Sequence, residues 1–275
     1  HLVISDDGST DQTGAIAASF AAQSPKVRLQ TGPRAGATAN FMSLLARQPL
    51  CTPQYWIAFC DQDDVWLPDR LSRGIAALAR LDPARPALFC SRTFIVDEAL
   101  KASRLSAARP RATGFRNALV QNIAAGNTIL LNPAAARLAI AAAARQPDPV
   151  VHDWWLYQLI TGAGGQIVHD DRPTLLYRQH GVNEIGANDG GAARLKRVLQ
   201  LLNGQFNRWN AKNITALRSA SDLLTLENRG LLEGFAALHD KGFAARLRGL
   251  HHLGLYRQTT ISSLALWLAA AIKRL

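Results

Sequence analysis

Short apolar runs alternate with helix-like segments through the first 180 residues, and this constrains the fold more than any other feature. Residues 2–4, 26–30, 55–60 and 87–96 read as strands. Residues 13–23, 37–47 and 68–81 read as helices between them, with Pro68 at a helix start. Gly8-Ser9-Thr10-Asp11 and Gly32-Pro33-Arg34-Ala35-Gly36 supply turn chemistry at two of the joins. Strands separated by helices predict an α/β fold, a mostly parallel sheet flanked by helices. Further on, residues 125–131, 166–169 and 174–178 read as strands, and 133–145 and 151–161 as helices. Residues 104–115 form a basic loop and residues 181–191 a Gly/Asn-rich one. Everything from Ala192 reads as helix.

With 275 residues, 48% hydrophobic and 19% charged, the chain can bury a sizeable core and is neither disordered nor a disulfide scaffold. Cys51, Cys60 and Cys90 are odd in number and form no CxxC pair, so they read as reduced, mostly buried thiols of a cytoplasmic protein. The net charge of +11 is unevenly spread: residues 1–193 carry a net +2 and residues 194–275 a net +9. That asymmetry divides the chain into a near-neutral domain, 1–193, and a basic helical region, 194–275. It also argues against a nucleic-acid binder, which needs a basic face on the folded body. No GxGxxG follows a strand, which excludes a nicotinamide dehydrogenase. His1 is followed at once by a strand and no apolar leader is visible, so the sequence is expected to open inside a fold.

The chemistry lies at strand ends, where α/β sheets bind ligands. Asp6-Asp7 follows the first strand and Asp61-Gln62-Asp63-Asp64 follows the third. Acids there repel an anionic ligand unless a cation intervenes, and carboxylate oxygens suit Mg²⁺ or Mn²⁺. Asp61 and Asp63 are two apart and share a face in extended chain. The plainer alternative is an acid cluster that complements the dipole of the helix starting at Pro68.

The series Ser5-Asp6-Asp7-Gly8-Ser9, Asn40-Phe41, Asp61-Gln62-Asp63-Asp64-Val65-Trp66, Gly126-Asn127-Thr128, His152-Asp153-Trp154-Trp155 and Tyr177-Arg178-Gln179-His180-Gly181 resembles the family 2 glycosyltransferases of GT-A fold, rhamnosyltransferase-like branch. The resemblance implies a Rossmann-like GT-A domain lacking its first strand–helix unit, with a C-terminal helical extension. It implies that Asp7 binds the donor's pyrimidine base and that Asp61 lies near the ribose and the metal. Asp63 and His180 would complete the metal site, Arg34 would touch the diphosphate, and Asp153 would be the general base. Each has a structural alternative: Asp7 a turn residue, Asp153 a helix N-terminal acid, His180 a core histidine. Ala35 stands where the family often has Asn. His169-Asp170-Asp171 reads as an ordinary turn.

The implied reaction is inverting transfer of a sugar, L-rhamnose, from a nucleotide-sugar donor (dTDP-L-rhamnose) to a glycan or lipid-linked acceptor, with a divalent cation as cofactor. A noncatalytic nucleotide- or membrane-binding module is the other class carried forward. In the basic region, Ile214, Leu217, Leu224, Leu231, Phe235 and Leu238 have helical spacing suited to packing on the protein's own body. Residues 261–272 are uncharged, include Trp267 and end on Lys273-Arg274. This run is too short to span a bilayer and suits either a docked helix or one lying on an anionic membrane surface. The latter would put the protein on the cytoplasmic face of a bacterial inner membrane.

Overall fold

The computed structural model describes residues 1–48, 54–179 and 204–275. β1 (Leu2–Asp6) and β2 (Val27–Thr31) are parallel partners joined through α1 (Thr13–Ala22), and α2 (Ala37–Ala46) follows. A second sheet has the order β3 (Ile57–Ala58), β8 (Leu130–Leu131), β5 (Ala87–Ser91), β9 (Gln166–Asp170). A third runs β4 (Val65–Trp66), β10 (Leu175–Arg178), β6 (Phe94–Val96), β7 (Ala102–Leu105). The longest ladders, β1–β2 and β5–β9, are parallel, as the strand–helix alternation predicts. The short strands β3, β4, β7 and β8 pair antiparallel.

β5 explains the layering. All five of its residues are buried, and its side chains alternate between faces. Leu88 and Cys90 enter the large core, while Ala87 and Phe89 enter a smaller one with Leu78 of α3 (Arg70–Leu78). Gly74 lets α3 approach closely: a Cβ there would lie 2.8 Å from Leu130. On the other face lie α5 (Pro133–Ala143) and α6 (His152–Gly162). Asn132 caps α5 by accepting from the Ala135 N–H, with Pro133 in the first turn. Trp155, Leu156, Tyr157, Leu159 and Ile160 of α6 are fully buried, so this helix is the axis of the core.

The basic region completes the same core. α7 (Gln205–Arg218), α8 (Leu226–Ala236), α9 (Phe243–Leu253) and α10 (Thr260–Ala271) contribute Leu217, Leu232, Phe235, Leu250 and Leu266. The apolar series from Ile214 to Leu238 is spread over α7, a 3₁₀ turn and α8 instead of forming one long helix. Its leucines and Phe235 do pack on the body. A buried polar network locks this region in place. Asn117, in α4 (Phe115–Ala118), donates to the Tyr256 carbonyl at 3.0 Å and accepts from the Tyr157 hydroxyl at 2.9 Å. Gln258 donates through its backbone N–H to Gln121 at 2.7 Å. Among the described residues, no helix is long and apolar enough to cross a membrane.

Several local expectations differ. Residues 87–96 are not one strand: they form β5 and β6, which belong to different sheets. Residues 125–131 are not a continuous strand: Gly126–Thr128 is a 3₁₀ turn and only Leu130–Leu131 pair. The reason is tertiary, since Gly126 is wedged against α6. Cys60 is exposed at the end of β3, donating to the Asp61 carbonyl at 3.3 Å, while Cys90 is buried. Cys51 lies outside the described residues.

Candidate active site

Three of the sequence strings converge at the end of β3. The first, Asp61 to Asp64, leaves the strand as a tight acidic turn. Asp64 is fixed on both oxygens: it accepts from the Arg178 backbone N–H at 3.0 Å and from the Asn127 side-chain amide. Arg178, at the end of β10, also donates its Nε to the Asp63 carbonyl at 2.8 Å. Asp61 is left with the electrostatic burden. Burial, joined by the charges of Asp64, Asp63 and Asp153, pushes its pKa up to about 7.

The second string is Gly126-Asn127-Thr128. The Gly126 N–H donates to Asp153 at 3.0 Å, and a Cβ at Gly126 would lie 2.7 Å from Nε2 of His152. Glycine is needed here for close approach. The third string is His152-Asp153 in the first turn of α6. Asp153 accepts from the Gly126 and Trp154 N–H groups, and the Asn122 side chain also bonds it. These bonds favour the charged form, yet burial of the carboxylate outweighs them and pushes the pKa up to about 6. Each carboxylate oxygen has two lone pairs, so the two backbone N–H groups leave acceptor capacity for a further proton donor.

His152 is buried and neutral, its pKa pushed down to about 3 by burial. Its ring stacks on Phe41 at 4.2 Å and lies 5.5 Å from Phe59. Phe41 sits on α2, whose start is set by Asp7. The two Asp7 oxygens accept from the Arg34 N–H at 2.7 Å and the Gly36 N–H at 2.8 Å, holding the loop that opens the helix. Arg34, itself at φ +60°, lays its side chain over Gly8. Asn40 ties the other side of α2 to β1, donating to the Ser5 carbonyl at 2.9 Å. Asp7 and Arg34 therefore form one loop unit, connected to Asp153 through α2.

Asp61, Asp63 and Asp153 thus share one electrostatic environment, and Asp7 with Arg34 forms a second group. His180 lies outside the described residues. Among the described residues, no three His, Cys, Asp or Glu side chains form a metal-holding group. The donor chemistry nevertheless fits a hard divalent cation: burial and the neighbouring carboxylates of Asp64, Asp63 and Asp153 hold Asp61 near pKa 7, a setting in which a bound cation would favour its charged form. His169-Asp170-Asp171 is structural, with Asp170 paired to Arg73 at 2.5 Å.

Sequence reasoning missed Arg70. It is buried, stacks over Trp66 at 4.0 Å and donates to the carbonyls of Phe59 at 3.2 Å and Asn127 at 2.5 Å. It clamps the end of β3 to the Gly126 turn and holds the acidic turn beside Asp153. An arginine in the first turn of a helix normally faces solvent, so only the Asp-rich run upstream hinted at a role. Asn127 was visible as part of a motif, but its bond to Asp64 was not.

Comparison with known proteins agrees with this architecture. Residues 1–124 match the model of glycosyl transferase family 2. A dTDP-rhamnosyl transferase of Shigella flexneri, RfbG, is 29% identical over 249 residues, covering 85% of this chain and 80% of the relative. Uncharacterized proteins of Mycobacterium bovis and Mycobacterium tuberculosis are 27% identical over 234 residues, 76% of this chain and 62% of theirs. The family match spans the Asp7 loop and the acidic turn, and the likeness to the Shigella enzyme extends over most of the chain. The chain is thus similar to glycosyl transferase family 2 over residues 1–124, and to the Shigella enzyme over most of its length.

Proposed function

We propose that the chain transfers L-rhamnose from dTDP-L-rhamnose to a polysaccharide or lipid-linked glycan, with inversion at the anomeric carbon and Asp153 as general base. The observation that carries this reading is the setting of Asp153. Its carboxylate is held by Gly126 and Trp154, keeps acceptor capacity, and titrates near 6, where a base at neutral pH is deprotonated yet still basic enough to take a proton. In the proposed step Asp153 takes the proton of the acceptor hydroxyl as its oxygen attacks the anomeric carbon. The bond to the nucleotide diphosphate breaks on the opposite face. Asp7, through a lone pair left by the Arg34 and Gly36 N–H groups, accepts from the ring N–H of the donor pyrimidine. Arg34 lies beside the same loop to meet the diphosphate.

Asp61 and Asp63 would hold a divalent cation, Mg²⁺ or Mn²⁺, with His180 as a third proposed ligand. Such a cation would supply positive charge against the departing diphosphate. Rhamnose as the sugar is supported by the likeness to the Shigella enzyme, whose own name states that donor. The cytoplasmic face of the inner membrane is the proposed site of action.

The test is transfer from dTDP-rhamnose and other sugar nucleotides to a glycan acceptor, with and without a chelator. The product anomer is read by NMR. Chelator-sensitive release of dTDP with an inverted product is expected. Chelator-insensitive turnover, or a retained anomeric configuration, would overturn the reading.

A further inference from the structure

The last helix buries one face and leaves the other bare. Leu266, Ala269 and Ala270 of α10 enter the core, while Ile261 is 78% exposed, Leu264 63%, Leu268 53% and Ile272 40%. These four are spaced by three, four and four residues, so they form one apolar stripe along the helix. Such stripes normally face a partner phase. α9 and α10 pack antiparallel. The ring of His251 meets Trp267 at 6.4 Å, and buried Arg246 donates to the Ala270 carbonyl at the end of α10. Arg246 also donates to the Lys241 carbonyl, so it ties the two helices together. Phe243, 60% exposed, therefore lies at the same end of the pair as Ile272 and Lys273.

Charge identifies the partner. From Gly242 to Leu275 the chain has no Asp or Glu and five Lys or Arg. Lys273 and Arg274 are exposed at the end of the stripe, and Arg248 and His251 lie one turn apart on the flank beside half-buried Trp267. The stripe is about 18 Å long at 1.5 Å per residue. That is narrow against the roughly 800 Å² per partner of a stable protein interface. An apolar ridge with a basic rim and a tryptophan at its edge has the dimensions of an interfacial anchor.

We infer that the α9–α10 face is a docking surface for an anionic lipid bilayer, with Ile261, Leu264, Leu268 and Ile272 entering the acyl boundary and Arg248, Lys273 and Arg274 meeting the headgroups. This deepens the proposed lipid-linked acceptor and rests on that reading only for its purpose. The face itself can be tested without donor or acceptor.

The experiment is cosedimentation of the protein with phosphatidylcholine vesicles, with and without phosphatidylglycerol, at low and high salt. The comparison variants are Leu264→Glu/Leu268→Glu and Lys273→Glu/Arg274→Glu. The parent should bind the anionic vesicles and lose binding as salt rises. The leucine variant should bind at least roughly tenfold more weakly, since each large apolar side chain withheld from the acyl phase costs about that factor. The charge variant should lose its preference for phosphatidylglycerol. Because the leucines are already exposed, circular dichroism and melting temperature should match the parent. Equal vesicle binding by parent and leucine variant would overturn the inference. So would a parent that ignores anionic vesicles, or one that light scattering shows to be a dimer which the leucine variant dissolves.

Discussion

Replacing Asp61 with Asn should stabilise the metal-free protein while destroying its function. Unfolded, Asp61 titrates near 3.8; folded, burial and the charges of Asp64, Asp63 and Asp153 hold it near 7. Between those values the folded chain keeps a proton that the unfolded chain has lost. Stability therefore falls as pH rises through that window, and the deficit is complete above 7. Three pKa units at about 1.4 kcal/mol each set a ceiling of about 4 kcal/mol. Asparagine has no charge to bury. The variant should gain roughly 1–4 kcal/mol over the parent at about pH 8, and the gap should close by about pH 4. Urea unfolding at both pH values, in chelator, measures this. Adding Mg²⁺ or Mn²⁺ should stabilise the parent, by about 2.7 kcal/mol at a hundredfold excess over Kd, and the variant far less. A variant no more stable than the parent at the higher pH, or a gap that persists at the lower one, would show that Asp61 is not a buried, electrostatically strained carboxylate.

Other consequences follow from the same geometry. Gly126→Ala drives a methyl into Nε2 of His152, where only 2.7 Å is free, and should cost roughly 1–3 kcal/mol in chemical unfolding as well as transferase activity. The pH profile of kcat/KM should rise through a midpoint near 6, because the proposed base works only after losing its proton. Asn117→Ala removes bonds to Tyr157 and Tyr256 in the buried network under the basic region, and should lower stability by roughly 1–3 kcal/mol in thermal unfolding.

What was legible in the sequence was whatever depends on local period and on charge. The acids after residues 2–4 and 55–60 stood out because each group follows a short, mostly apolar run. Which of two cores each β5 side chain enters was not legible, because residues 87–90 are uniformly apolar. What was not legible depends on contacts distant in sequence. Residues 125–131 are apolar enough for a strand, yet His152 presses on Gly126 from α6 and a 3₁₀ turn results. Arg70 looks like any arginine in a first helical turn until the Phe59 and Asn127 carbonyls enclose it. The leucine series from 217 to 238 has helical spacing, but Leu224 falls just after a 3₁₀ turn between two helices. The stripe on α10 was visible as an uncharged run; which of its faces is bare depended on the packing of α9.

The proposed function turns on Asp153 removing the acceptor's proton in glycosyl transfer. Its most direct test is single-turnover transfer by the Asp153→Asn variant, with donor binding measured in parallel. Donor affinity should stay close to the parent's, and the transfer rate should fall by roughly 10²–10⁴-fold, the share that general base catalysis commonly supplies. An unchanged transfer rate with unchanged donor binding would contradict it.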